Sequence, residues 1–146
     1  MRRTLLLLSA TLLTLTLGAS IQEVEGSADL EGKLRSAASQ HEIIKLLLDE
    51  DRYAEVLSEF WTILDLELTG DNEKPVVQEA WMIVERMRES GEYDLAHQIV
   101  DGASNELETS ESTFYLLMLK GKLFQDQGRT EEALEAYREA QLYKDD

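Results

Sequence analysis

A helical pattern that repeats at a fixed spacing constrains the fold of this chain more than any other feature. Gly91 is followed five residues later by Ala96, and Gly128 is followed five residues later by Ala133. The same offsets then bring a larger residue and a second small residue in each segment: Val100 and Ala103, and Tyr137 and Ala140. A helix packed closely against another helix needs small residues on either side of a larger one, whereas a helix facing solvent does not. The pattern therefore predicts helical hairpins that stack on one another.

The rest of the sequence from residue 37 onward also has helical periodicity. It shows no sustained alternation of β-branched residues, and its one proline, Pro75, suits the first turn of a helix. We predict an all-α fold with six helices, over approximately 38–48, 52–68, 75–89, 93–103, 112–127 and from 130 onward. Thr130 is the predicted N-cap of the sixth helix, where Glu131 and Glu132 follow at the positive end of the helix dipole.

The last of these hairpins resembles the tetratricopeptide repeat, a helix–turn–helix unit with aromatic and small residues at set positions. Its matching residues are Leu117, Gly121, Phe124, Gly128, Ala133, Tyr137 and Ala140. The middle hairpin matches with Ala80, Val84, Met87, Gly91, Ala96, Val100 and Ala103, and the first, more weakly, with Gln40, Ile44, Leu47, Asp51, Val56, Phe60 and Ile63. The resemblance implies a short right-handed α-solenoid of three hairpins, over approximately 37–70, 76–108 and 113–146. The alternative is an unrelated helical bundle.

The resemblance also assigns packing roles to individual residues. Gly121 and Ala133 would lie where the two helices of the last hairpin touch most closely, and Tyr137 would fill the space between this hairpin and the one before it. The residues expected to pack the repeats together are Ala96, Val100, Ala103, Gly121, Ala133, Tyr137 and Ala140.

The first residues have the three parts of a secretory signal peptide. Arg2 and Arg3 precede an apolar run over 5–17, and small residues follow that run. We predict that residues 1–19 are a signal peptide and that 20–36 form a flexible segment. The protein would then be secreted or periplasmic, with a bacterial cell envelope favoured, and would keep no stable membrane span after cleavage. The alternative is an uncleaved anchor, although the run is shorter than the roughly 20 residues that span a bilayer.

Charge and composition limit the chemistry that the chain can carry. A formal net charge of -16 opposes binding to nucleic acid and favours a basic partner. Cysteine is absent, and His41 and His97 belong to different hairpins without the spacing of metal ligands. No phosphate-binding loop or GxSxG motif occurs. We therefore expect a protein that is not an enzyme and that takes no metal or cofactor.

The resemblance implies a concave surface formed by the first helix of each hairpin. The groove-facing positions that it gives are His41, Lys45 and Asp49 in the first hairpin, Gln78, Trp81, Glu85, Arg88 and Glu89 in the middle one, and Tyr115, Met118, Lys122, Gln125 and Asp126 in the last. The candidate partner-binding residues are Trp81, Glu85, Arg88, Tyr115, Met118 and Lys122. Trp81, Tyr115 and Met118 are the principal ones, because large or adaptable side chains dominate interface energetics.

Two alternatives concern single residues of this surface. Trp81 would, in the alternative interpretation, pack between hairpins instead of facing a partner. Glu85 and Lys122 stand where the peptide-carboxylate clamp of the family requires asparagine, so we do not expect capture of peptide C-termini.

The predicted function is non-catalytic binding of a protein or peptide, as a scaffold or assembly factor of the cell envelope. The alternative is a structural subunit that self-associates or docks through the last helix. That helix is expected to expose parts of four apolar or aromatic residues, because no polar capping helix follows it: Leu134, Tyr137, Leu142 and Tyr143.

Overall fold

The computed structural model describes the backbone of residues 10–144 and the side chains of residues 26–144. Within these residues the fold is all-α, as predicted, with six α-helices and no strand. The helices are α1 (Ala10–Asp49), α2 (Tyr53–Leu64), α3 (Glu73–Glu89), α4 (Tyr93–Glu106), α5 (Ser110–Asp126) and α6 (Thr130–Ala140). Two short 3-10 helices cover Gly70–Asn72 and Gln141–Tyr143. None of the helices in this part of the chain is both long enough and apolar enough to cross a membrane.

The chain divides into two compact units after Ser36. The second unit, Ala37–Asp146, starts at the residue where the sequence analysis begins the repeat domain. The predicted signal peptide, residues 1–19, lies partly outside the described residues. Its described part belongs to α1, which starts at Ala10, and its cleavage stays a prediction.

Residues 20–36 are helical, whereas the sequence analysis assigns them to a flexible segment. This stretch has no proline, and most of its residues are good helix formers. Two ion pairs at a spacing of four residues support the helix there: Lys33 with Asp29, at 3.7 Å, and Arg35 with Glu31. The prediction of a flexible segment was based on the glycines and acidic residues of this stretch and left out its helix propensity and its ion pairs.

Three turns between helices of the second unit have the same backbone geometry. Asp51, Gly91 and Gly128 have φ values of 56°, 77° and 72°. The residue after each of them donates its backbone N–H to the carbonyl five residues earlier: Arg52 to Leu47 (2.9 Å), Glu92 to Met87 (2.8 Å) and Arg129 to Phe124 (2.8 Å). This is the Schellman C-cap, which requires a left-handed residue at the turn. The chain thus builds the same turn after α1, α3 and α5, at the three positions that the sequence alignment matches.

The left-handed turn residue gives a testable stability prediction. Gly91→Ala is expected to lower the free energy of unfolding by about 1 kcal/mol, because an alanine rarely adopts a positive φ. A Cβ at this position would meet no atom within 4 Å, so the backbone angle is the cause of the loss. Gly32→Ala is the control: it also meets nothing within 4 Å, but it lies inside α1 with a helical backbone. Urea denaturation followed by circular dichroism measures both, and an equal loss in the two variants would contradict this explanation.

The core of the second unit lies between the helices, along their apolar stripes. The largest fully buried apolar side chains are Ile44, Val56, Phe60, Ile83, Val84, Met87, Ile99, Val100, Leu116, Leu119 and Leu123. Helix α3 contacts α2, α4 and α5, and α5 contacts α4 and α6. Of the residues expected to pack the repeats, Ala96, Val100, Ala103, Gly121, Ala133 and Ala140 are buried and Tyr137 is half-buried.

The ring of Tyr137 lies across Gly121 inside the last hairpin. A Cβ on Gly121 would stand only 2.5 Å from Tyr137 Cε1, and the Tyr137 hydroxyl donates to Gln125 Oε1 at 3.0 Å. Both contacts are with α5, the partner helix in the same hairpin. The prediction that this ring lies between two hairpins is therefore corrected: the missing side chain of Gly121 leaves room for the ring against α5.

A second ring lies on a glycine, and this pair joins two different hairpins. A Cβ on Gly102 would stand 2.0 Å from Trp61 Cζ3, so the indole of α2 rests directly on the backbone of α4. Neither Trp61 nor Gly102 has a predicted role. An isolated glycine inside a helical pattern was the available signal, because such a glycine often marks close packing.

Two predicted helix ends need correction. Helix α2 ends at Leu64 and not near residue 68, since Glu67 has a φ of 51° that no helix continues through. Thr130 is the first residue of α6 and not its N-cap. Arg129 takes the N-cap position without a side-chain cap, and its guanidinium pairs with Glu132 at 2.8 Å. The Schellman turn fixes this start, so no capping side chain is used.

Candidate functional site

A cleft of about 530 Å³ opens where α3 and α5 begin. Its residues come from the first 3-10 helix, the first turns of α3, and the start of α5. They are Gly70, Asp71, Lys74, Val77, Gln78, Trp81, Thr109, Glu111, Ser112 and Tyr115. Val77, Trp81 and Tyr115 give the cleft an apolar inner surface, and charged side chains lie at its 3-10 and helix-start side. The cleft combines a size usual for ligand sites with a few polar groups around apolar walls.

One buried carboxylate fixes the two helix starts that form the cleft. Glu73 is 2% exposed and is the first residue of α3. It accepts the backbone N–H groups of Glu108 (3.1 Å) and Thr109 (3.0 Å), and the Thr109 hydroxyl at 2.7 Å. Thr109 in turn is the N-cap of α5, since its Oγ1 accepts the backbone N–H of Ser112 at 3.2 Å. This hydrogen-bond network holds the start of α5 against the start of α3.

The same network keeps Glu73 ionised. Burial by itself would raise the pKa of this carboxyl, but hydrogen bonds from Ser112, Thr109 and the Glu108 backbone outweigh it and hold the pKa below its ordinary value. A charged acceptor makes stronger hydrogen bonds than a neutral one. The cleft walls are therefore held by a carboxylate at neutral pH.

Three of the groove-facing positions given by the resemblance meet in this cleft. Gln78 and Trp81 enter it from α3, and Tyr115 enters it from α5. Tyr115 is 42% exposed and Trp81 is half-buried. The Trp81 ring also has Lys122 Nζ at 5.8 Å from its centroid, within the range of a cation–π contact. Trp81 thus both contributes to the α3–α5 packing and presents surface to the cleft.

The charged candidates beside Trp81 bind one another. Lys122 Nζ donates to Glu85 Oε1 at 2.7 Å. Arg88 donates to Glu85 Oε2 at 2.7 Å and to Asp126 Oδ2 at 2.5 Å. Two cations and two anions from α3 and α5 therefore form one neutral network, which fills the surface next to the cleft with paired charges.

The ionisation of this network follows from its pairing. Burial would raise the pKa of Glu85, but the hydrogen bonds from Lys122 and Arg88 lower it below its ordinary value. The hydrogen bonds to Glu85 and Asp126 raise the pKa of Arg88. All of these groups are partly solvated, so the network contributes orientation more than stability.

The remaining groove-facing residues do not line the cleft. His41 Nδ1 lies 2.6 Å from Glu79 Oε2, which ties α1 to α3. Lys45 pairs with Glu42 on its own helix at 3.4 Å. Met118 is half-buried, and the others are exposed side chains away from the cleft: Asp49, Glu89 and Gln125.

Several residues of the cleft were missed by sequence reasoning. The connections and helix starts, which were predicted only as breaks between helices, contain four of them: Asp71, Lys74, Thr109 and Glu111. Glu73, which holds the two helix starts together, was missed as well. The available signal for Thr109 was its position before the acid of a helix start, with Ser112 three residues later. No pattern in the sequence near Glu73 indicated that its carboxylate would accept hydrogen bonds from Glu108 and Thr109.

The described residues hold no group of three or more histidine, aspartate or glutamate side chains that could bind a metal ion. Comparison of the chain with protein-family models, with curated proteins and with solved structures finds no match.

Proposed function

We propose that residues 37–146 form a tetratricopeptide-like repeat module that binds a segment of another protein without catalysis. The observation that carries the proposal is the cleft between the starts of α3 and α5, with Trp81 and Tyr115 as its aromatic walls. In the cell envelope or periplasm, such a module acts as a scaffold or assembly factor. The resemblance of the sequence to the repeat family is the basis of the solenoid architecture in this proposal.

Two structural features support the repeat architecture. The same Schellman turn closes each helical hairpin, at Asp51, Gly91 and Gly128. Among helices α2 to α6, each contact joins helices one or two places apart in the chain. Contacts limited to near neighbours are typical of stacked repeats, in which each unit meets only the next one.

The chemistry of the cleft supports protein binding over small-molecule chemistry. Aromatic side chains that present a large rigid surface are enriched at interface hot spots, and two of them face this space. A volume of about 530 Å³ can accept a few side chains of an extended segment. Next to the cleft is the neutral network of Glu85, Arg88, Lys122 and Asp126. The main chain of a bound segment can cover this network without separating any of its charge pairs.

A second candidate function uses the end of the second unit. Leu134 is 39% exposed and Leu142 is 76% exposed, so an apolar surface is open on α6 and the 3-10 helix after it. Tyr137 and Tyr143, also expected there, are half-buried. In this alternative, the protein docks or self-associates through these leucines.

Affinity capture from the native cell envelope tests both candidates. We compare the full tagged chain with a Trp81→Ala/Tyr115→Ala variant and with a Leu134→Ser/Leu142→Ser variant, identify bound proteins by mass spectrometry, and titrate the one found. The aromatic variant is expected to weaken binding at least about tenfold, because truncating hot-spot aromatics costs about 2 kcal/mol.

The leucine variant is the matched control, since it also removes two large apolar side chains. A partner lost only by the leucine variant would transfer the function to the end of α6, and capture of the protein's own copies alone would favour the structural subunit. Circular dichroism of each variant verifies that the helix content is unchanged.

A further inference from the structure

The ionisable side chains that line the cleft carry more negative than positive charge. We infer that the cleft selects a peptide segment in which a basic residue lies next to an apolar residue, with the apolar side chain against Trp81 and Tyr115 and the cation at Asp71. This inference rests on the proposed function, since it names the class of segment that the cleft would take.

The apolar half of the site is formed by three side chains from two helices. Val77 is buried at its base, and Trp81 and Tyr115 flank it. Tyr115 keeps 42% of its surface exposed, so its ring is open to a ligand in the cleft. Covering such rings with an aliphatic side chain removes apolar area from water on both partners.

The acidic half of the site contains a carboxylate with no partner. Asp71 is exposed on the 3-10 helix at the edge of the cleft, and within the described part of the chain it makes no ion pair or hydrogen bond. Lys74 and Glu111, also at this edge, pair with each other at 3.6 Å. Among the ionisable side chains that line this edge, there is therefore one excess negative charge.

Several of the donors that an anionic ligand would need are already occupied. The N–H groups that precede α5 donate to Glu73, and the Ser112 N–H donates to Thr109 Oγ1. Lys122 and Arg88 donate to Glu85, and Lys74 has Glu111. A peptide carboxylate would find no free cation here, whereas an arginine or lysine would find the free carboxylate of Asp71.

The charge of the whole chain acts in the same direction. A formal net charge of -16 produces a negative potential that attracts cationic segments and speeds their encounter with the surface. Because most of that charge is solvated, the attraction is screened by salt. The apolar contact with the two rings is not screened, so it supplies the part of the binding that remains in salt.

Fluorescence anisotropy with three labelled hexapeptides tests the inference on the full chain. All three are acetylated and amidated and differ at two central positions: leucine–arginine, leucine–citrulline and serine–arginine. Citrulline keeps the shape of arginine without its charge. The leucine–arginine peptide is expected to bind about threefold more tightly than the leucine–citrulline peptide. It is expected to bind about tenfold more tightly than the serine–arginine peptide, and to lose affinity as salt is added.

Asp71→Asn is expected to weaken binding of the leucine–arginine peptide about threefold, the range of a solvent-exposed ion pair, and to leave the leucine–citrulline peptide unchanged. Asp65→Asn, at the exposed end of α2 and outside the cleft, makes the same change in net charge and is expected to have little effect. An equal loss in both variants would show a general effect of charge and would overturn the role of Asp71.

The outcomes separate this inference from the proposed function. If the arginine and citrulline peptides bind equally, and Trp81→Ala/Tyr115→Ala abolishes both, the cleft binds peptides but the inferred preference is wrong. If no peptide binds while the same double variant loses its envelope partner, the inference falls and the proposed function stands. If the two rings are needed neither for peptide binding nor for binding of the envelope partner, both the inference and the proposed function are wrong. If the protein forms dimers that dissociate in the Trp81→Ala/Tyr115→Ala variant, the cleft is occupied by a second copy of the chain and the inference is wrong.

Discussion

Glu73→Ala is expected to lower the free energy of unfolding by about 3 kcal/mol. The substitution removes the buried acceptor of two backbone N–H groups and of one hydroxyl, and leaves these part-buried donors without that partner. Urea denaturation followed by circular dichroism measures the loss. Glu106→Ala, at an exposed position near the end of α4, is the control and is expected to be nearly neutral.

The same carboxylate is expected to make stability depend on acid pH. The pKa of Glu73 is lower in the folded state than its ordinary value of about 4.5, so the folded state binds this proton more weakly than the unfolded state does. Its contribution is complete at pH values above 4.5 and is lost as the pH falls through the lowered pKa of the folded state. Glu73→Gln is expected to flatten this part of the stability profile, while Glu106→Gln keeps it. An unchanged acid profile in Glu73→Gln would contradict the role of the buried charge.

Gly102→Ala is expected to lower the free energy of unfolding by about 2 kcal/mol, although alanine is the better helix former. The new methyl group would stand 2.0 Å from Trp61 Cζ3 and 2.2 Å from Cη2, so the indole must leave its position between α2 and α4. The measurement is again denaturation by urea.

A double-mutant cycle identifies the cause of that loss. In the background of Trp61→Ala the ring is gone, and Gly102→Ala is then expected to stabilise the protein by up to about 1 kcal/mol through helix propensity. The effect of one substitution thus changes sign with the presence of the indole. A loss of the same size in both backgrounds would show that the backbone of α4, and not the Trp61 ring, opposes the methyl group.

The helices and turns could be predicted from the sequence because they depend on local patterns. Apolar residues at helical spacing mark the core stripes, and glycine supplies the left-handed residue at two of the three Schellman turns. The first of these turns has Asp51 at the left-handed position. No glycine marks this turn, so only the alignment of the hairpins indicated it. The extension of α1 through 20–36 was missed because its ion pairs depend on the helix already being formed.

The cleft could be predicted only in part. At the 37-residue spacing of the two hairpins, Trp81 corresponds to Met118 and Tyr115 to Gln78. The resemblance between repeats put all four positions on the groove-facing side, so it was enough to place Trp81 and Tyr115 on neighbouring first helices. The contact of Glu73 with Glu108 and Thr109 joins residues about 35 positions apart, and no periodicity predicts a partner at that distance. The same holds for Trp61 and Gly102. Such long-range polar and ring contacts depend on how the hairpins pack, which the sequence does not give locally.

The three Schellman turns have a further consequence for how such a chain can change in length. The hydrogen bond that closes each of them spans only six residues, for example from Met87 to Glu92, and uses no atom of a neighbouring hairpin. The turns lie 40 and 37 residues apart, at Asp51, Gly91 and Gly128, so the connections between hairpins absorb the difference while the turns stay the same. If one whole hairpin were duplicated, the copy would contain a complete turn, and if one were deleted, the remaining turns would stay intact. Only the connection at the boundary would have to change.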